Sequence, residues 1–410
     1  MATMLHRQSS ESAGLTSLAA WALLSVCLSL CGCRSRPAPP PPPQEPPQRP
    51  QAGRLMTEVR YAKGFSVEAG DGFTRVRVTR PWRGAQTSFE YLLIPRDGEP
   101  PAEVGEAHVM RVPVQSVVAM STTHLPHLEM LDCLDRLVGV NDISHVYSPE
   151  VIELHRQGTV VSVGREGTVD LEQLAATEPE LVFDVALGQA DADNYRTMLD
   201  GGFSVAVNGE WTEDTPLARA EWIKFTALFL GRVAEAERVF DAIAAEYERL
   251  AKLTAEVTAR PLVFAGNEFQ GTWYVPGGAS YLAQFFHDAG ARYVWDDDSS
   301  TGSITIDFEA VLERAREADD WFLHSGGFAD LGGLAAADER YGLLKAVREQ
   351  RVYCNDAQLS PAGRNAYFES GIMHPEQVLA DLIHILHPEL LPEHQLTWYR
   401  RIPPATEANR

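Results

Sequence analysis

The chain has 410 residues, 45% hydrophobic and 22% charged, long enough for two ordinary domains and globular in composition. Its formal net charge of −22 argues against a nucleic-acid partner, because the mean field repels a phosphate backbone. There is no CxxC, GxSxG, HExxH, P-loop or GxGxxG pattern, so nothing points to catalysis or to a resident cofactor.

Residues 1–33 read as a signal segment. The apolar run "LTSLAAWALLSVCLSL" has signal-peptide length and is short for a membrane span. It ends in Leu30-Cys31-Gly32-Cys33, which resembles the bacterial lipoprotein processing box and implies lipidation of Cys33 as the first mature residue. Arg34 stands where the usual inner-membrane retention signal has Asp, which leaves the choice of membrane open. Residues 34–55, "RSRPAPPPPPQEPPQRPQAG" and its flank, are expected to form an extended tether of about 3 Å per residue. Beyond the signal and the lipidation site only Cys133 and Cys354 remain, read as two buried free thiols, with a disulfide between them left open.

Residues 56–110 read as an antiparallel β extension. Val76 and Val78 alternate with Arg75 and Arg77, and "FEYLLIPR" follows across a turn. Over 111–215 apolar strands ("VQSVVAM", "LVGV", "VVSVG", "ELVFDVA", "FSVAVN") alternate with helices, one of them expected over 123–137. Such runs suit a parallel sheet covered on both faces. A helical region, 216–260, follows; its second half carries an apolar stripe from Val233 to Val257, a rod of about 37 Å. A second alternating series fills 261–396, and 397–410 is a tail. The fold class is therefore α/β, with two Rossmann-like lobes joined by one long backbone helix.

Ligands of such sheets bind beyond the carboxyl ends of the strands. That rule nominates Ser121, Thr122, Thr123 and His124 after the first strand, with the stretches around His145–Tyr147 and Gly164–Glu166, Arg165 among them. In the second lobe it nominates Trp273 and Tyr274 in "NEFQGTWYVPGG", with the "STGSIT" stretch, within Ser299–Thr305, as a weaker candidate. Arg364 and Tyr367 lie in "NDAQLSPAGRNAYFESG", longer than a normal connection, and Arg364 suits an anionic group. His124 and His127 fall on the apolar face of their helix, which favours packing for His127; His124, in the first turn, also borders the cleft. A bare metal ion would need His145, His324, Glu268 or Glu369 as further ligands, so no metal site is assigned.

Several segments, in order over about residues 111–396, resemble the bilobed receptors of iron-siderophore, haem and cobalamin ABC importers. They are "VQSVVAMSTTHLPHLEMLDCLDRLVGV", "DLEQLAATEPELVF", "GGASYLAQFFHDAGARYVW", "IDFEAVLERAREADDWFL" and "AVREQRVYCND". The resemblance implies binding without chemistry: a monomer on the outer side of a bacterial membrane holds a small-molecule metal complex between its lobes. An iron chelate is the first expectation, and cobalamin or haem the alternatives. The implied partners are the importer's permease and ATPase, docked through Glu172 and Glu309, one in the first turn of a helix of each lobe. The β extension has no counterpart in the minimal receptor.

Overall fold

Alternation in the first ordered segment gives a four-stranded sheet of β1 (Phe65–Ala69), β2 (Thr74–Val78), β3 (Phe89–Pro95) and β4 (His108–Val112), in that order. On β2, Thr74, Val76 and Val78 point inward, while Arg75 and Arg77 both reach Glu90 on β3, at 2.5 and 2.9 Å. The sheet is antiparallel through β3, as expected, but β4 joins β3 in parallel. The computed structural model describes residues 56–165, 167–189, 193–324 and 327–405; Cys33, the tether and Glu166 lie outside them.

The extension is a layer on the first lobe. Phe65, Val76, Val78 and Tyr91 share one core with Trp222, Phe225 and Phe229. Two buried carboxylates fix the entering chain: Glu221 accepts the backbone amides of Arg60, Tyr61 and Ala62, and Glu213 those of Lys63 and Gly64.

The first lobe consists of β5 (Val117–Ala119), α1 (Leu125–Met130), β6 (Leu137–Val140), α2 (Pro149–Arg156), β7 (Val161–Ser162), the small ribbon β8 (Gly164–Arg165) and β9 (Thr168–Val169), α3 (Leu171–Ala176), β10 (Leu181–Asp184), α4 (Asn194–Asp200) and β11 (Val205–Val207). Its sheet runs β11-β10-β5-β6-β7, all parallel. The order reverses between β5 and β10, so the segment after β5 stands at the topological switch point. The expected helix over 123–137 is much shorter. A 3-10 turn at Thr122–His124 precedes a six-residue α1, and Asp132, at φ 53°, breaks the chain before it can continue.

The helical region is three helices, α5 (Pro216–Ala220), α6 (Ile223–Leu230) and α7 (Val233–Thr254). Every residue of α6 is buried between neighbours, including Lys224, which donates to Glu221 at 2.8 Å and to the Glu58 carbonyl at 2.7 Å. Gly231, at φ 66°, ends α6 in the left-handed conformation that glycine adopts without strain. The spine α7 has 22 residues, about 33 Å, and buries Ala236, Phe240, Ile243, Tyr247 and Leu250 along one stripe. It ends at Thr254, one turn short of the expected stripe's end at Val257.

The second lobe contains β12 (Leu262–Ala265), β13 (Asn267–Phe269), β14 (Thr272–Pro276), α8 (Tyr281–Asp288), β15 (Arg292–Tyr293), β16 (Ser303–Ile306), α9 (Phe308–Ala315), β17 (Asp320–Leu323), α10 (Leu331–Ala337), α11 (Lys345–Arg348), β18 (Val352–Cys354), α12 (Pro375–Leu386) and β19 (Arg400–Arg401). Its main sheet runs β15-β12-β17-β18-β19, with only the edge strand β19 antiparallel. A separate antiparallel sheet, β13-β14-β16, stands beside it. Cys133 and Cys354 are both buried, and no disulfide joins them.

Candidate functional site

At the switch point of the first lobe, Ser121 caps the 3-10 turn. Its Oγ accepts the Thr123 amide at 3.3 Å and lies 2.9 Å from Thr123 Oγ1. Ser121 and Thr122 border a hollow shared with Asn141, Asp142 and His145, whereas Thr123 borders a second cavity, at the junction of the lobes. His124 does not join them. It is 1% exposed beside Phe183, neither ring nitrogen has a hydrogen-bond partner, and burial pushes its pKa down to about 4. The turn that presents the hydroxyls rotates the next side chain into the core, so His124 is a packing residue. His127 is packing as expected: it is fully buried, with Nδ1 2.8 Å from Thr226 Oγ1, and burial lowers its pKa to about 3.

The junction cavity, about 200 Å³, is lined mainly by apolar and aromatic groups: Pro216, Tyr281, Phe285, Tyr367, Phe368 and Ile372, with Thr123 at one side. One cation is set in its wall. Arg219 donates from Nε and Nη2 to Glu210 Oε2 at 2.9 and 2.6 Å, and its guanidinium lies 4.6 Å from the centroid of the Tyr281 ring. Glu210 is 1% exposed, so this is a desolvated ion pair with a ring on one face. The Tyr367 hydroxyl is 3.5 Å from that of Tyr399, and burial holds its pKa well above the usual range. Such a cavity accepts a flat or branched apolar body and offers it an aromatic wall beside a fixed positive charge.

Beside this cavity the lobes are tied together. Glu369 accepts the backbone amides of Tyr147 and Ser148, both at 2.8 Å, across the cleft. Burial raises its carboxyl to about 7; the two amides pull it down, and Glu129 pushes it up. Glu129 itself accepts the Ser148 hydroxyl at 2.5 Å, and burial raises its pKa. Glu369 thus holds the lobes in this form, and its oxygens are committed to the tie. Tyr147 adds a contact of its own, from its hydroxyl to Gln358 at 3.3 Å.

The remaining nominated residues divide. Tyr367 lines the cavity, and Arg364 is half-buried in the loop before α12, its amide bonded to Ser360. Arg165 is exposed on the β8–β9 ribbon, away from the junction cavity's lining. Trp273 is 3% exposed, stacked on Phe308 and tilted against Trp321, so it is a core residue. Tyr274, its neighbour on β14, points the other way and is 43% exposed. Glu172 and Glu309 are exposed in the first turns of α3 and α9, behind the capping residues Asp170 and Asp307; Glu309 lies 3.5 Å from Arg340. Arg219, Glu210, Tyr281 and Phe368 were not anticipated. A charged residue in the otherwise apolar "PLARA" was the available signal.

The family model described as periplasmic binding protein matches residues 117–359, more than half of the chain, from the first residue of β5 to the loop after β18. The chain belongs to the periplasmic binding protein family. That family is one of solute-binding proteins rather than a class of enzymes, and the two-lobed α/β frame is its fold. Among relatives of the family member described here is an uncharacterized lipoprotein of Methanocaldococcus jannaschii, 26% identical over 364 residues, covering 83% of this chain and 84% of the relative. Among solved structures, a periplasmic haem-binding protein of Pseudomonas aeruginosa covers 72% of this chain and 99% of its own, at TM-score 0.53 and 17% identity. A molybdate periplasmic binding protein of Haemophilus influenzae covers 70% and 90%, at TM-score 0.53 and 16% identity. At these identities the likeness is one of fold.

Proposed function

We propose that this protein is the extracytoplasmic, lipid-anchored receptor of an ABC importer, and that it carries an iron chelate between its lobes to the permease. The observation that carries the reading is the junction cavity. A bare ion or small oxyanion is held by polar groups, whereas this wall is aromatic, with one partly buried arginine already oriented by Glu210. That wall suits the organic envelope of a chelate with a negative edge. Ser121, Thr122, Thr123, Tyr147, Arg364 and Tyr367 are the further contacts, supported by their positions at strand ends or in the cavity lining. Haem is the second reading, favoured by the flat aromatic surfaces of Tyr281, Phe285 and Tyr367. The lipoprotein naming of the archaeal relative supports the anchor at Cys33.

Native mass spectrometry and visible absorbance of protein purified from its own host test the reading. A bound chromophore of chelate mass is expected. A protein that arrives empty and shows no saturable shift with ferric siderophores, haem or cobalamin contradicts it.

A further inference from the structure

The connection between β2 and β3, Thr79–Ser88, lies ahead of the family match and far exceeds the roughly two to five residues usual for a hairpin. It reaches over the carboxyl ends of β10 and β11. Trp82 stacks on Tyr195 of α4, with centroids 6.3 Å apart, and lies so close to Gly188 that a Cβ there would meet its ring at 2.5 Å. The Arg80 carbonyl accepts the Thr212 hydroxyl at 3.2 Å. Arg83 then crosses to the second lobe. Its Nη1 donates to Thr301 Oγ1, its Nη2 to the Trp211 carbonyl at 3.2 Å, and its guanidinium sits 5.6 Å over the Trp211 ring. The extension, the first lobe and the second lobe therefore meet around one hollow of about 290 Å³.

Its electrostatics are unbalanced. Arg80 and Arg83 flank the Asp214 carboxylate at 3.8 and 4.0 Å, both longer than a hydrogen bond, and Arg80 also lies in the field of the buried Glu213, whose oxygens are taken by backbone amides and Trp222. The hydrogen bonds of Arg83 go instead to a neutral hydroxyl and a neutral carbonyl. Burial weighs against its charge; Asp214 offsets part of that cost, and Arg219, in the wall of the junction cavity, opposes it. Two partly exposed cations thus stand near carboxylates without a hydrogen bond to either, within a chain whose mean charge is strongly negative. An additional anionic oxygen group would complete the hydrogen bonding of both guanidinium groups.

We propose that Arg80 and Arg83 form a subsite for an anionic oxygen group, a carboxylate or phosphate, on the ligand held between the lobes. The β extension then supplies a third wall of the cleft. The inference rests on the reading that a solute binds there, and Asp214 acts as an internal counter-ion that the ligand's anion outcompetes.

The test titrates the full chain with ferric citrate, which has free carboxylates, with inorganic phosphate, and with a ferric trihydroxamate that has none. Trp82 and Trp211 make tryptophan emission one readout, and calorimetry is the other. The wild type is expected to bind ferric citrate or phosphate saturably, and Arg80→Gln with Arg83→Gln to weaken that binding about tenfold or more. Asp214→Asn is expected to strengthen it several-fold, a gain that misfolding cannot produce, with the trihydroxamate unchanged by either variant. Absence of anion binding to the wild type, or anion affinity unmoved or lowered by Asp214→Asn, overturns the subsite and assigns Arg83 to bracing the lobes. The two readings fail separately: trihydroxamate binding without any anion effect sinks only the subsite, while anion binding with no metal chelate bound sinks only the chelate receptor.

Discussion

The ion pair between Arg219 and Glu210 is the residue-scale feature on which the cavity depends. Glu210 is buried and Arg219 nearly so, so removing one leaves the other without compensation. Glu210→Ala is expected to lower the unfolding free energy by about 3–5 kcal/mol, measured by urea titration, while replacing both residues by Met costs far less. The Glu369 tie makes a different, pH-dependent statement. Its carboxyl is raised in the folded state to about 7, so between the ordinary carboxylate range and 7 the folded protein keeps a proton that the unfolded chain has lost. Its contribution is present at low pH and fades as pH rises through 7. Unfolding free energy is therefore expected to fall more steeply from about pH 5 to about pH 7.5 in the wild type than in Glu369→Gln. Equal slopes would show that the tie does not titrate. At this scale the sequence was partly legible. Ser121, Thr122 and Thr123 followed from the strand-end rule, and Tyr367 from its loop. Trp273 and Tyr274 could not both face a cleft, because neighbours on a strand point to opposite sides, and the buried one is Trp273. Arg219 escaped because it lies in the helical region, outside the strand-end loops, and only the tertiary fold brings it against Tyr281.

Elements were legible where their periodicity was long and uniform. The stripe of α7 announced the spine, and the continuous apolar strands announced two parallel sheets. Short elements were not: α1 occupies six residues because two 3-10 turns and a left-handed Asp132 surround it, and no periodic pattern survives over so short a span. The break between α6 and α7 depends on Gly231, at φ 66° and against Pro113. Gly231→Ala puts a Cβ 3.1 Å from the Pro113 side chain in a conformation that disfavours it. A loss of about 1 kcal/mol is expected, read as a lower denaturation midpoint with an unchanged slope.

Across the whole molecule, a two-lobed α/β frame was readable from the chain, and the family match agrees with it. The β extension was recognised, but not its place: residues that share a core with Phe225 and Phe229, and a loop that reaches the second lobe, are contacts between distant parts of the chain with no local signature. The exposed acids Glu172 and Glu309, one on each lobe, belong to this scale too. Glu172→Ala with Glu309→Ala is expected to abolish uptake of the solute by whole cells while leaving its affinity for the purified protein unchanged. Lost affinity would contradict a docking role. The measurement that bears most directly on the central claim is titration of the purified full chain with ferric siderophores and haem, followed by native mass spectrometry. One chelate bound per chain, with affinity reduced about tenfold or more by Arg219→Met, is the expected result. Saturable binding of none of them, or binding indifferent to Arg219→Met, would contradict it.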